Sequence, residues 1–276
     1  MIPPVDTKDA KAVARFVQRK RAELFGRGKS PWLARVLRDV SALFAGKTPD
    51  YAAIDLHYHD FEHTLQATVC LVLILEGRAQ RRQRPQLQAR DFDLAVAAVL
   101  LHDSGYLRLR SDRRGTGAKY TFIHELRSSA YAASYLPGLG VTAREVDTIV
   151  AAISCTGPRS HPQRIEFPDE LARLIGCVVA TADYLAQMAA PDYLEKLPHL
   201  HREFQESYDY FGTPRAQRYS KTAADLIRRT PQFWRGFVLP KLRHDFGGVL
   251  DYLAGPDGKN PYLEAVAANL ARIKRG

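Results

Sequence analysis

Histidine and aspartate side chains recur in this sequence at positions where a protein core has little use for them. His59 and His63 are four residues apart in YHDFEH, and on a helix this spacing places both on one face. His102 and Asp103 end the apolar run LAVAAVLLHD, and Asp183 follows a second apolar run, CVVATAD. A buried aspartate is costly unless it is paired or bound to a cation. Imidazole and carboxylate groups together bind divalent metals, so the sequence predicts a metal site built from these residues.

Parts of this pattern also have simpler interpretations. YHDFEH alone is compatible with an exposed, polar start of a helix that contains incidental histidines. Neighbouring helical residues project about 100° apart, so one ion can bind both His102 and Asp103 only where the helix ends or is distorted. Gly105, two residues after Asp103, permits such a distortion.

The elements that position these residues are predicted to be helices. Apolar residues recur three and four positions apart through most of the chain, and alternating strand patterns are nearly absent, which predicts an all-α fold. Thr142 and Glu145 form a Thr-x-x-Glu capping box at the start of one predicted helix. The helical pattern covers 8–24, 31–45, 60–76, 91–102, 120–136, 142–155, 168–189, 215–229 and 261–274.

Composition limits the class of protein. The formal net charge of +10 favours anionic partners, but no nucleic-acid-binding motif is found, so we expect no nucleic acid partner. Cys70, Cys155 and Cys177 have no close spacing and are expected to be buried free thiols of a reducing compartment. The longest apolar stretches, 68–75 and 94–101, are too short to span a bilayer, and no signal-peptide pattern is found. We therefore expect a cytoplasmic protein without a membrane partner.

The order H…HD…D of the predicted site residues resembles the HD superfamily of metal-dependent phosphohydrolases, over roughly residues 50–200. The resemblance implies an all-α HD-domain bundle whose helices surround the site. It also implies one divalent ion held by His63, His102, Asp103 and Asp183.

The same resemblance divides the chain into three parts. Residues 49–204 are expected to form the HD metal-dependent phosphohydrolase core. Residues 1–48 are expected to be an N-terminal helical extension packed on that core. Residues 205–276 are expected to be C-terminal helices that complete the same domain.

One branch of the superfamily is closer than the others. YHDFEHTLQAT resembles the Tyr-His-Asn-x-x-His signature of the class I cyclic nucleotide phosphodiesterases. By this resemblance His59 is the general acid that protonates the leaving oxygen, His63 is a metal ligand and Tyr58 contacts the substrate. Asp60 and Gly157 stand where that branch usually has an asparagine and an acidic residue.

The resemblance implies hydrolysis of a phosphoester by metal-activated water, with a cyclic nucleotide as the favoured substrate. A metal ion lowers the pKa of its bound water from about 16 towards 7. The expected cofactor is one or two divalent ions, with Mn, Mg, Zn, Fe and Co all compatible with these ligands. If two ions bind, Asp103 is the natural bridge between them. The expected partner is a phosphorylated small molecule, favoured to be a nucleotide.

Five further residues are candidates by position. His124 lies 22 residues after His102, and His161 lies on a proline-flanked loop; each is a candidate for a second metal or a phosphate. Arg108, Arg110 and Lys119 lie on the segment 106–119 that follows the His-Asp doublet, and they are candidates for binding substrate phosphate. The simpler interpretation of these three cations is a solvated loop.

Two other functions are left open by the sequence. One is a di-iron oxygenase of the HD type, and the other is a non-catalytic HD module that binds a nucleotide. The oxygenase would need a six-residue ligand set, which could be supplied by His63, His102, Asp103, His124, His161 and Asp183.

Overall fold

A computed structural model describes residues 2–28, 30–157 and 160–275 of the chain. Within these residues the fold is all-helical, with no strand and one isolated antiparallel bridge between Tyr51 and Leu109, so the all-α prediction is confirmed. The α-helices are α1 (Ala10–Phe25), α2 (Pro31–Phe44), α3 (Phe61–Gln80), α4 (Ala89–Leu101), α5 (His124–Tyr135), α6 (Ala143–Ser154), α7 (Glu170–Ala189), α8 (Tyr193–Tyr210), α9 (Ala223–Phe233) and α10 (Pro261–Arg275).

Helices α3, α4, α6 and α7 form the centre of the fold and pack against one another. Every residue of α4 from Phe92 to Leu101 is buried, because its apolar side chains cover all sides of the helix. The predicted Thr142–Glu145 capping box is confirmed at the start of α6. Helix α7 is long and apolar enough to cross a membrane, but 72% of its most apolar window is buried inside the fold, as in a core helix.

The N-terminal helices are fixed to this centre by a buried ion pair. Arg21 of α1 donates to both carboxylate oxygens of Asp93 of α4, at 2.6 and 3.1 Å. Asp93 is 2% exposed, so its charge requires this partner. Apolar residues of α1, α2 and the C-terminal segments belong to the same hydrophobic cluster as the central helices. The division into 1–48, 49–204 and 205–276 stays a prediction, and its second boundary falls inside α8.

Helix α8 is the element that the periodicity analysis missed. It contains Pro198, and proline inside a helix removes one backbone hydrogen bond and is unfavourable locally. Packing of α8 against α7 and α9 offsets this cost. Helix α9 also begins later than predicted, at Ala223, where the Thr222 side chain caps it by accepting from the Asp225 N–H. The three cysteines are buried free thiols, as predicted.

Candidate metal centre

The first histidine of the site lies outside a helix. Helix α3 begins at Phe61, and its cap is Asp60, whose carboxylate accepts from the His63 N–H at 2.9 Å and pairs with Lys196 at 3.0 Å. His59 therefore precedes the helix, and the expectation that His59 and His63 share a helical face is wrong. An aspartate cap is favoured here because it satisfies a free N–H of the first turn. The two imidazole rings still lie close together, with centroids 6.1 Å apart.

The His-Asp doublet lies where α4 ends, as the sequence predicts. His102 caps the helix, and Asp103 leaves it with φ of −102° before the short 3₁₀ turn Ser104–Tyr106. Helix α5 secures this turn through Ser128, whose hydroxyl donates to the His102 carbonyl and accepts from the Gly105 N–H at 2.8 Å. A Cβ at Gly105 would collide with the backbone carbonyl of His124, so glycine is required for this close approach.

Four ligand-type atoms from three helix regions converge below this turn. The Nε2 atoms of His63 and His102 are 3.4 Å apart, and Asp103 Oδ2 lies 3.3 Å from each of them. From α7, Asp183 Oδ1 lies 3.1 Å from His63 Nε2 and 3.5 Å from His102 Nε2. The four side chains are buried. The structure thus brings together all four predicted ligands of the first metal.

These atoms fit a divalent cation. His102 Nδ1 donates to the Val99 carbonyl at 2.6 Å, so in the neutral ring Nε2 carries a lone pair that faces the carboxylates. Asp103 Oδ2 is buried and has no hydrogen-bond partner, which is costly without a counter-charge. Ligands about 2.1 Å from one ion lie roughly 3–3.5 Å from their neighbours, which matches the observed spacing. His63, His102 and Asp103 could therefore hold a metal ion.

The electrostatics of the centre also favour a positive charge. Burial alone would lower the pKa of His102, but the Asp103 and Asp183 carboxylates raise it to about 9. Burial alone would raise the pKa of Asp183, but the His102 and His63 rings beside its Oδ1 hold that pKa well below its ordinary range. The two carboxylates are thus held as anions in the interior, where a cation compensates them best.

Gln187 and Tyr58 line the centre on the α7 side. The amide of Gln187 donates to Asp183 Oδ1 at 2.7 Å and lies 3.2 Å from His63 Nε2. Its oxygen accepts from the Tyr58 hydroxyl at 2.9 Å. Tyr58 was predicted to be near the site, and Gln187 was not. The signal for Gln187 was its position four residues after Asp183, on the same face of a helix.

His59 is held by a carboxylate from the helix that the sequence did not predict. Its Nδ1 lies 2.6 Å from Glu203 Oε2 of α8. Glu203 Oε1 accepts from the backbone N–H groups of Tyr58 at 2.8 Å and His57 at 3.2 Å. Burial alone would lower the pKa of His59, but the Glu203 carboxylate raises it, so the protonated ring is favoured. Glu203 is the main site residue that sequence reasoning missed.

Tyr106 and His124 form the next layer of the site. The Tyr106 ring stacks on His59, with centroids 4.5 Å apart, and on His124, with centroids 4.6 Å apart. His124 Nδ1 donates to the Thr121 carbonyl at 2.8 Å, and its Nε2 lies 3.8 Å from Asp103 Oδ1. The Asp103 carboxylate thus faces the first centre with one oxygen and His124 with the other.

The remaining candidates lie elsewhere. His161 is exposed and is absent from the residues that line the cavity at the site. Arg108 pairs with Asp55 at 2.7 Å, Arg110 donates to backbone carbonyls that precede α3, and Lys119 pairs with Asp112 at 2.5 Å. Arg108 and Arg110 therefore hold the 106–119 segment against the fold, Lys119 pairs within that segment, and none of the three lines the cavity.

A cavity of about 240 Å³ opens on the candidate centre. Its polar end is lined by Tyr58, His59, Asp103, His124, Asp183 and Gln187. Its other end is lined mainly by aromatic and aliphatic side chains from α8, α9 and the end of α7. The cavity therefore joins the metal-ligand cluster and the His59–Glu203 pair to a largely apolar chamber.

The sequence matches no protein-family model and no curated protein. The chemistry that the site can support therefore follows from its own atoms. It offers a buried ligand set for a cation, an imidazole oriented by a carboxylate, and a chamber large enough to admit an organic group.

Proposed function

We propose that this protein is a metal-dependent phosphohydrolase of the HD superfamily that hydrolyses a phosphoester, in the manner of the phosphodiesterase branch that its sequence resembles. The observation that carries the proposal is the convergence of His63, His102, Asp103 and Asp183 beside His59 on one cavity. A metal-ligand cluster next to an oriented imidazole suits phosphoester hydrolysis. The cluster can hold a cation that offsets negative charge on the phosphoryl oxygens, and the imidazole can protonate the leaving oxygen.

The ligands of the proposed ion are the four side chains of the centre. If these residues hold a divalent ion, it would supply a water of lowered pKa and a positive charge to offset a phosphoryl oxygen. Mixed imidazole and carboxylate ligands suit Mn, Fe, Zn or Co, and Mg at a water-rich position. His124, which faces the second oxygen of Asp103, is the proposed ligand of a second ion or of a phosphate.

His59 is the proposed general acid. Glu203 accepts a hydrogen bond from Nδ1–H, so Nε2 is the nitrogen from which a protonated ring donates to the leaving oxygen. Burial lowers the pKa of His59, but the Glu203 carboxylate raises it above its ordinary value, which favours the protonated ring that a general acid needs. Glu203 also fixes the backbone of Tyr58, which prevents the ring from turning away from the cavity.

The two alternative functions are less well supported. The oxygenase requires His161 as a ligand, and that residue is exposed and does not line the cavity. A non-catalytic binding module has no need for a carboxylate that lies 2.6 Å from Nδ1 of a partly buried imidazole. Hydrolysis uses both the cluster and this pair.

The proposal is tested by removing and restoring metal. Purified protein should hydrolyse bis(p-nitrophenyl) phosphate, lose this activity after treatment with EDTA, and regain it when Mn²⁺ or Mg²⁺ is added in excess. The exposed-site variant His161→Ala, treated in the same way, should behave like the parent protein. Absence of turnover with each of Mn²⁺, Mg²⁺, Zn²⁺, Fe²⁺ and Co²⁺ would contradict the proposal.

A further inference from the structure

We propose that the substrate carries a single phosphoryl group on an apolar organic group, either an aromatic ring or an alkyl chain. This inference rests on the proposed phosphohydrolase function and names its substrate class. It differs from the nucleotide that the sequence resemblance favours, and it follows from the lining of the chamber beyond the metal-ligand cluster.

The chamber is built from side chains that stabilise apolar groups. Its wall beyond the metal-ligand cluster includes Phe122, Tyr184, Leu197, Leu200, Phe204 and Phe233. These residues come from separate parts of the chain, namely the segment before α5, helix α7, helix α8 and helix α9. Apolar surface buried on binding contributes roughly 25 cal/mol per Å², so a ring or chain placed against this wall adds substantially to affinity.

Several polar groups on the wall are already paired within the protein. The hydroxyls of Thr121, Thr156 and Thr230 donate to backbone carbonyls of their own turns, at 2.7, 2.8 and 3.0 Å. Both ends of the Gln187 amide are also hydrogen-bonded, to Asp183 and to Tyr58. The Tyr106 hydroxyl, which also lines the cavity, is buried without a hydrogen-bond partner and can bond to one polar group of a substrate. A nucleobase or a ribose would lose several hydrogen bonds to water on entering, and to replace most of them it would have to break the bonds of these paired groups.

The charges that line the chamber also suit a substrate with only one phosphoryl group. Among the described residues that line the chamber, none is lysine or arginine. The candidate cations Arg108, Arg110 and Lys119 are engaged with other groups of the 106–119 segment and its neighbours. A second phosphoryl group, beyond reach of the metal-ligand cluster, would therefore be buried without a counter-charge, which is strongly unfavourable.

Exposed aromatic side chains lie at the edge of the chamber. Tyr219 lines the chamber and is 41% exposed. Phe211 is 45% exposed, and its ring lies 5.9 Å from the ring of Phe122 on the chamber wall. Exposed apolar surface next to an apolar chamber is typical of a site that binds an apolar ligand.

The test is a calorimetric comparison of phosphonates, which bind without being hydrolysed. The protein, loaded with Mn²⁺, is titrated with methylphosphonate, phenylphosphonate, octylphosphonate and the non-hydrolysable phosphonate analogue of adenosine 5′-monophosphate. We expect phenylphosphonate or octylphosphonate to bind at least about tenfold more tightly than both methylphosphonate and the nucleotide. Tighter binding of phenylphosphonate would indicate an aromatic ring in the substrate, and tighter binding of octylphosphonate would indicate an alkyl chain. Equal affinity for methylphosphonate, or tighter binding of the nucleotide, would overturn the inference.

Two variants, each of which removes one aromatic ring, test whether the binding preference arises in the chamber. Phe204→Ala removes a ring from the wall, and we expect it to abolish most of the tenfold preference. Phe211→Ala removes an exposed ring that does not line the chamber, and we expect it to keep the preference. An equal preference in Phe204→Ala and the parent protein would overturn the assignment to this chamber.

Uncharged probes separate this inference from the proposed function. Metal-free protein is titrated with 1-naphthol and with adenosine, neither of which carries a phosphoryl group. Binding of naphthol but not adenosine would support the apolar chamber even if the protein bound no metal and hydrolysed no phosphoester, in which case the proposed function alone would fail. Absence of naphthol binding, or preferred binding of adenosine, would overturn the substrate inference whatever the hydrolysis assay shows.

Discussion

His59 Nδ1 and Glu203 Oε2 lie 2.6 Å apart, although 144 residues separate them in the chain. The other oxygen of Glu203 accepts from the backbone N–H groups of His57 and Tyr58. One buried carboxylate of α8 therefore fixes both the ring of His59 and the chain that carries it. This relationship gives the proposed general acid a defined orientation before α3 begins.

Replacing Glu203 should impair catalysis more than binding. In Glu203→Gln the amide oxygen can still accept from the Tyr58 N–H, but the charge that favours protonated His59 is lost. We expect kcat to fall by roughly 10–100-fold, with KM and metal content little changed. Glu206→Gln is the matched control, since Glu206 lies on the same helix and bonds to Thr116 outside the cavity. An equal loss of kcat in both variants would mean that Glu203 acts through the stability of α8.

Removing His59 should have an effect that depends on the leaving group. His59→Asn takes away the proposed proton donor, and we expect a loss of about 10²–10⁴-fold with an alkyl phosphoester. The loss should be much smaller with a p-nitrophenyl ester, because p-nitrophenolate leaves without being protonated. The control is His57→Asn, which changes an exposed histidine two residues away. A loss of the same size for both leaving groups would contradict the role of His59 as general acid.

His124 and His161 should differ in their contribution. His124 is buried and faces Asp103 Oδ1, whereas His161 is exposed and does not line the cavity. We expect His124→Ala to lower either the number of bound metal ions or the affinity for phosphate, and to lower activity by at least about tenfold. His161→Ala should leave metal content, phosphate binding and activity unchanged. The measurements are elemental analysis, phosphate titration and steady-state kinetics on the two variants side by side.

The Arg90–Glu145 pair predicts a pH-dependent contribution to stability. Two hydrogen bonds from Arg90, at 2.5 and 2.9 Å, lower the pKa of Glu145 from 4.5 to about 2. A lowered pKa in the folded state means that the contribution is complete above pH 4.5 and is lost as the pH falls towards 2. Glu145→Gln should therefore lower the free energy of unfolding by about 1 kcal/mol at pH 7, where solvent screens the partly exposed Arg90.

Urea unfolding at pH 7, 5 and 3 measures this difference. The gap between the parent protein and Glu145→Gln should shrink below pH 4.5, the ordinary pKa of the carboxyl. Glu166→Gln, at an exposed position, should show little difference at any pH. A gap of constant size down to pH 3 would assign the effect to packing and not to the ion pair.

Much of the metal centre could be predicted from local sequence. His102 and Asp103 end an unbroken apolar helix, which required that helix end to be buried, and Asp183 follows the same kind of run. His63 was predicted from its type and from the order of the motif. For His102, Asp103 and Asp183 the burial of a polar residue is visible from its apolar neighbours in the chain.

Contacts between distant elements could not be predicted in this way. Glu203 lies on α8, where Pro198 and many polar residues conceal the helix, and its partner His59 is fixed by tertiary packing. Because Asp60 caps α3, the helix begins after His59. A four-residue spacing alone cannot show where a helix begins. The partners of Arg108 and Lys119 are also determined by the conformation of the 106–119 segment. The sequence shows that these residues are positively charged, but it does not show which carboxylate each of them contacts.

Elemental analysis of Asp103→Ala shows whether Asp103 helps to bind the proposed catalytic metal. The control is Asp147→Ala, which removes an exposed carboxylate of α6. After loading with Mn²⁺ and desalting, the parent protein and Asp147→Ala should retain at least one ion per chain and hydrolyse bis(p-nitrophenyl) phosphate. Asp103→Ala, folded by circular dichroism, should retain neither metal nor turnover. Metal content in Asp103→Ala equal to that of the parent protein, or hydrolysis by protein free of metal, would contradict the account.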